Sequence, residues 1–169
     1  MNRADLPKAA RWFGVAAGII AADQLVKWLV LSRFAPGEAM QLTGFFNLVL
    51  VFNKGAAFSF LAREAGWQTP LLVGFALVAS AVVAVLMVRN AAKPLLCAAL
   101  AAILGGALGN AIDRLRFGYV VDFLDFHAFG WHWPAFNIAD SAITIGAVLL
   151  ILDGLLRSET RVSNDARMP

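Results

Sequence analysis

The chain has 169 residues, of which 60% are hydrophobic and only 15% charged. Its mean hydropathy of +0.73 is too high for a soluble domain of this length and places it among integral membrane proteins. The formal charge of +3 comes from scattered basic residues with no stripe to follow a phosphate backbone, so nucleic acid is not an expected partner.

Arg3, Lys8 and Arg11 precede the first apolar run. That run reaches Leu31, carries Asp23 and Lys27 and has no small-x-small cleavage site. It therefore reads as a retained first span, residues 12–31, and not as a removed signal peptide. Asp23 and Lys27 are spaced i,i+4, so they share a helix face and can pair. Pairing is a sufficient structural account of Asp23; orienting a site at the outer end of the span is the alternative. Ionisable groups inside a span are costly, point into the bundle and seek partners.

The connection 32–69 is not simple loop. GFFNLVLVFNKGAAFSFL, residues 44–61, is rich in aromatic and β-branched residues and predicts one or two short strands broken at Asn53–Gly55. AREAGWQ, residues 62–68, reads as a short interfacial helix with Trp67 at headgroup depth. The second and third spans are expected over 70–88 and 94–112, each long enough at 1.5 Å per residue to cross about 30 Å of hydrocarbon. Cys97, the single cysteine, has no disulfide partner and reads as a packing residue of the third span. The stretch AALAAILGGALGNA provides the small residues that let helices approach closely in lipid.

The third span ends in GNAIDR, residues 109–114. Asn110 and Arg114 share a face and Asp113 lies one position short of it. A snorkelling arginine with its counterion would explain Asp113 and Arg114; a buried Asn110 amide still wants a partner. In the connection 113–133, VVDFLDF places Asp122 and Asp125 among apolar side chains, against the membrane or roofing a cavity. The pattern alone does not choose between these two aspartates. FGWHWP, residues 129–134, suggests an interfacial anchor, with a role for His132 as an alternative. His127 and His132 are the only histidines, and neither belongs to a metal-binding pattern, so no metal and no cofactor is expected.

The fourth span is expected over 134–152 and opens with FNIADSAIT. If the helix begins near residue 137, Asp140 is a first-turn charge favoured by the helix dipole. If it begins at Pro134, Asp140 lies about a turn and a half inside and needs another reason. Both tails and the turn holding Arg89 and Lys93 are basic, which puts all three on the cytoplasmic side and the segments 32–69 and 113–133 outside. The outward side then gathers carboxylates on separate elements with amides and an arginine nearby. Two carboxylates sharing a dry site also share a proton, the acid/base arrangement of aspartic peptidases. Ser59, Ser141 and Cys97 have no base suited to nucleophilic catalysis.

NKGAAFSF (53–60), GNAIDR (109–114), VVDF (120–123), FNIADSAI (136–143) and the Asp23-Gln24 pair followed by Lys27 closely resemble the motifs of bacterial lipoprotein signal peptidase, or signal peptidase II. The resemblance spans residues 11–155 in order, and the five motifs together are specific. It implies an all-α integral membrane protein of four transmembrane helices, with a small extracytoplasmic β-rich subdomain and a short interfacial helix. It implies an aspartic endopeptidase of the bacterial cytoplasmic (inner) membrane that cuts diacylglyceryl-modified prolipoproteins just before the lipid-bearing cysteine. Asp122 and Asp140 then become the catalytic dyad and Asp125 a local charge. Asn53, Gly55, Asn110, Arg114, Asn137 and Ala139 fall on positions that line or support the site, as does Asp23. Membrane lipids and globomycin-type inhibitors are implied as partners, and a monomer is expected. The rival classes are a small ion-coupled transporter or channel subunit, a membrane acyl or phosphoryl transferase, and a non-catalytic adaptor. A transporter would need ionisable residues running through both halves of the bundle.

Overall fold

The computed structural model describes residues 5–55 and 67–165, with side chains over 8–55 and 67–157. The interfacial helix expected over 62–68 therefore lies, apart from Trp67 and Gln68, outside the described residues, as does Ser59. Among the described residues, four helices are long and apolar enough to cross a membrane: α1 (Asp5–Leu31), α2 (Gln68–Arg89), α3 (Pro94–Phe117) and α4 (Ile138–Asp165). Together with a small sheet they give the expected class, a multi-pass helical membrane protein with a β-rich appendage.

The helices are not equivalent. The most apolar stretch of α3 is 61% buried inside the protein, against 17–22% for the other three. α3 is thus the hub, and α1, α2 and α4 pack around it. Its small residues make this possible. A Cβ added at Gly106 would lie 2.3 Å from the Ala139 carbonyl oxygen, and one at Gly105 would lie 2.9 Å from the Ala16 carbonyl oxygen. Without hydrophobic drive between helices in lipid, such backbone approach is what holds a bundle together. Phe75, Leu77, Val78 and Val82 of α2 face outward, as lipid-facing residues should.

Four antiparallel strands form one row: β1 (Ala39–Thr43), β2 (Phe46–Asn53), β3 (Val120–Ala128) and β4 (Trp131–His132). β1 and β2 make a hairpin turning at Gly44–Phe45. β1 was not legible in the sequence because all five of its residues are exposed and leave no alternation to read. The expected strand break at Asn53–Gly55 falls at the end of β2, where Gly55 takes φ +96°. β2 then pairs with β3, far along the chain, and Leu50, Val121 and Phe123 bury one face of this pair against Val30 of α1.

Two local signals set the ends that matter. α3 continues to Phe117 and stops at Gly118, a left-handed cap with φ +81° whose N–H donates to the Arg114 carbonyl. The chain therefore passes from helix to strand within two residues. α4 starts at Ile138, not at Pro134, because Phe136 is held in an extended bridge to Leu124.

Candidate active site

The parity of β3 separates its two aspartates. Residues three apart on a strand point to opposite faces, so Asp122 and Asp125 face different surroundings. Asp122 is 1% exposed. Its Oδ1 accepts the Asn137 amide at 2.7 Å and its Oδ2 accepts the Asn53 amide at 3.0 Å. Asp125 turns away, accepting the Asn47 amide at 2.7 Å and meeting His132 Nδ1 at 2.9 Å.

Asp140 stands in the first turn of α4. Asn137 caps this helix: its Oδ1 accepts the Asp140 N–H at 2.9 Å, and its carbonyl accepts the Ser141 N–H. Asp140 is thus a first-turn charge of a helix that begins just after Asn137. The Asn137 oxygen caps the helix, which turns its NH2 toward Asp122, Val121 and Asn110. Asn110, on α3, donates to Asp140 Oδ1 at 2.7 Å. The partner that a buried Asn110 amide required is thus Asp140. Two amides link the carboxylates of a strand and a helix into one polar layer.

Asn53 reaches this layer from the end of β2. Its Oδ1 accepts the Gly55 N–H at 2.8 Å, which leaves its NH2 for Asp122. The positive φ at Gly55 lets the chain turn tightly enough to close that bond.

Beneath the amides lies a buried charge cluster. Lys27 Nζ contacts Asp23 Oδ2 at 2.8 Å and Asp113 Oδ2 at 2.7 Å, with all three side chains at most 3% exposed. It also donates to Asn110 Oδ1 at 3.1 Å. Asp23 Oδ1 accepts the Ala139 N–H, Asp113 Oδ2 accepts the Val121 N–H, and Gln24 bridges to Asp113 and the Gly109 carbonyl. Each acid therefore grips the backbone beside one member of the upper pair: Ala139 precedes Asp140 and Val121 precedes Asp122. Buried ions survive only when their remaining valences are met in this way. Ala139 and Gly109 must be small here, since a Cβ at Gly109 would already lie 3.0 Å from Asp23 Oδ2 and 3.3 Å from the Ala139 methyl.

The pairing of Asp113 with Lys27 corrects the expectation that it serves as counterion to Arg114. α3 presents Asp113 to α1, and among the described residues Arg114 donates to the Asn110 carbonyl at 3.4 Å. Sequence reading assigned no site role to Lys27, Gln24 or Asp113. Their signal was an unbalanced count: two buried acids of separate spans needed a common cation, and α1 holds one.

Burial pushes the Asp122 carboxyl up to about 7, and the charge of Asp140 adds to this, while the Asn53 and Asn137 amides work against it. Burial also acts upward on Asp125, but the Asn47 amide and the His132 ring outweigh it and hold that carboxyl below its ordinary value. Near neutral pH, the Asp122 carboxyl is therefore close to its own midpoint, neither fully protonated nor fully ionised. Among the described residues, the buried charges gather at one end of the bundle and do not thread it, unlike an ion pathway.

Known proteins resemble the chain in sequence and in fold. A family model described as signal peptidase (SPase) II matches residues 15–156. A lipoprotein signal peptidase of Paraburkholderia phytofirmans is 57% identical over 148 residues, covering 88% of this chain and 86% of that protein. One of Ralstonia nicotianae is 56% identical over 146 residues, covering 86% and 84%. A solved bacterial membrane enzyme superposes with a TM-score of 0.78 at 28% identity, over 86% of this chain and 93% of the other. With the family model spanning most of its length and close relatives matching nearly end to end, the chain belongs to the signal peptidase II family.

Proposed function

We propose that Asp122 and Asp140 form the catalytic dyad of this membrane aspartic endopeptidase, which removes signal peptides from diacylglyceryl-modified prolipoproteins immediately before the lipid-bearing cysteine. The observation that carries the assignment is the amide bridge. Asn137 binds Asp122 Oδ1 and caps the Asp140 N–H, while Asn110 joins Asn137 to Asp140 Oδ1. Such a bridge holds two carboxylates in fixed relation without neutralising either, as shared-proton catalysis requires.

In the reaction, the ionised carboxylate of the pair takes a proton from water as the water oxygen attacks the scissile carbonyl carbon. The protonated partner hydrogen-bonds the carbonyl oxygen. The tetrahedral intermediate collapses when the nitrogen of the cysteine residue receives a proton and the C–N bond breaks, leaving the signal peptide as a carboxylate. Water contributes the hydroxyl and the proton, so no further reactant is consumed. Asn53, Gly55, Asn110, Asn137, Ala139 and Asp23 position the dyad, and Arg114 orders the end of α3.

The basic tails and the Arg89–Lys93 turn support an orientation in the bacterial inner membrane with both termini cytoplasmic and the sheet end outside. Lipid-modified substrate would then present its diacylglyceryl tails from the outer leaflet, with the signal helix beside the bundle. The resemblance also supports globomycin-type inhibition and a monomeric enzyme.

Purified wild type, Asp122→Asn and Asp140→Asn, assayed on a diacylglyceryl-modified prolipoprotein, test this reading. Each single variant should lose about 10³-fold or more in kcat, the scale of a general acid or base. Full activity in either would refute the dyad, and equal cleavage of unlipidated precursor would refute lipid-dependent recognition.

A further inference from the structure

The hairpin β3–β4 has a tip that contributes nothing to the fold. Its two central residues, Phe129 and Gly130, have φ +52° and +80°. Positive φ at both positions is what a two-residue hairpin turn of type I′ demands, and Gly, Asn or Asp usually supply it. A phenylalanine there strains the backbone. It recovers nothing by packing, because Phe129 is fully exposed at 108%. A side chain that costs backbone energy and buries no surface within its own chain has its partner elsewhere.

The neighbours share this character. Trp131 and Trp133 are 60% and 57% exposed, with their rings edge to face at 5.6 Å. Phe45, 59% exposed, stands beside them at the turn between β1 and β2. An open groove of ≈ 510 Å³ runs among Phe45, Phe126, His127, Trp131, Trp133 and Phe136. From Phe126 to Asn137 the sequence FHAFGWHWPAFN contains no acid, lysine or arginine. The patch is also continuous with a membrane-embedded element: five residues after β4, the chain enters the α4 span at Ile138. Tryptophan and phenylalanine without charge, next to the mouth of a span, match the chemistry of the zone between headgroups and acyl chains.

We infer that the β3–β4 hairpin, led by Phe129 with Trp131 and Trp133, inserts into the headgroup and upper acyl layer of the bilayer. It thereby holds the strand that carries Asp122 at a fixed depth. β3 connects the two directly, since Asp122 and the hairpin tip belong to the same short strand and its turn. The inserted tip would set the height of the carboxylate relative to a bond that is itself anchored by lipid. This insertion does not depend on which residues carry the chemistry.

The experiment uses the full chain in lipid nanodiscs, with Trp12, Trp28 and Trp67 replaced by phenylalanine so that only Trp131 and Trp133 emit. Lipids brominated in the upper acyl chain should quench this emission, and aqueous acrylamide should quench it weakly. Quenching by acrylamide alone would overturn the inference in favour of a hairpin in water. Protection from both quenchers would overturn it in favour of a hairpin covered by a second copy or another protein. Phe129→Gly adds a test that a mere turn residue would pass: glycine relieves the positive φ, so folding should be kept or improved. Insertion nevertheless predicts loss of bromine quenching and a gain in acrylamide quenching. A Phe129→Gly protein quenched like its parent would show that Phe129 does not lead the insertion.

Discussion

Asp122 and Asp125 occupy one strand, three residues apart, and have opposite fates. Asp122 enters the buried polar layer at the helix ends, where burial drives its carboxyl up to about 7. Asp125 turns to the other face, where Asn47 and the half-exposed His132 hold its carboxyl low. Both accept two side-chain partners, so hydrogen bonding alone does not separate them. Their difference is the surroundings: Asp122 feels the charge of the partly buried Asp140, and Asp125 faces an imidazole. Strand parity, not residue type, turned one aspartate into the polar layer and the other toward Asn47 and His132.

The sharpest way to break this comparison is to neutralise each acid in turn. Asp122→Asn should reduce kcat by about 10³-fold. Asp125→Asn should change it by no more than about threefold and cost about 1 kcal/mol of stability or less, since asparagine keeps an oxygen for the Asn47 amide and the His132 partner is half-exposed. Matched losses in a cleavage assay would mean that the two faces of β3 are not functionally distinct.

Removing the cation below the layer tests whether the polar face depends on it. Lys27→Met leaves Asp23 and Asp113 buried without their shared counterion, and should cost about 3–5 kcal/mol in unfolding. Thermal denaturation in detergent would read this. The corresponding loss for an Asp125 or His132 variant should be several-fold smaller.

Gly106→Ala probes the close approach that positions Asp140. The added methyl would fall 2.3 Å from the Ala139 carbonyl oxygen, so α3 and α4 must separate. A loss of about 1–3 kcal/mol is expected, the usual range for overpacking. kcat should fall with it, because Ala139 adjoins Asp140 of the proposed dyad; a variant of full activity would show that the site tolerates movement of α4.

Asn53→Ala should have a modest effect on rate and the most specific effect on pH. Its amide lowers the Asp122 pKa, so removing it raises that pKa further. The limb of the pH–rate profile near 7 should move to higher pH, with a loss of activity of about tenfold or less. An unmoved limb would mean that Asp122 does not produce it.

Several of these features were legible early. The four apolar runs, the basic turn and the polar residues inside spans announced a membrane bundle with a site at one end. Motif order then pointed to Asp122 over Asp125, a choice that polarity could not make. The end of α3 was less legible, since a helix running to Gly118 carries Asp113 and Arg114 as helical residues and points them apart. β1 left no trace because every residue of it is exposed. FNIAD gave no sign that one Asn137 side chain would both cap α4 and bond Asp122 on β3.

Composition and periodicity determined by themselves that this chain crosses the membrane and where its costly groups lie, because each is a local property of a segment in lipid. Only the tertiary structure decided which groups meet. Lys27 finds Asp113 from α3 as well as Asp23 from its own helix, and Asn137 joins a strand to a helix. Those partnerships depend on how closely α1, α3 and α4 approach and on which face of β3 turns inward. Both are set by long-range packing that no single segment encodes.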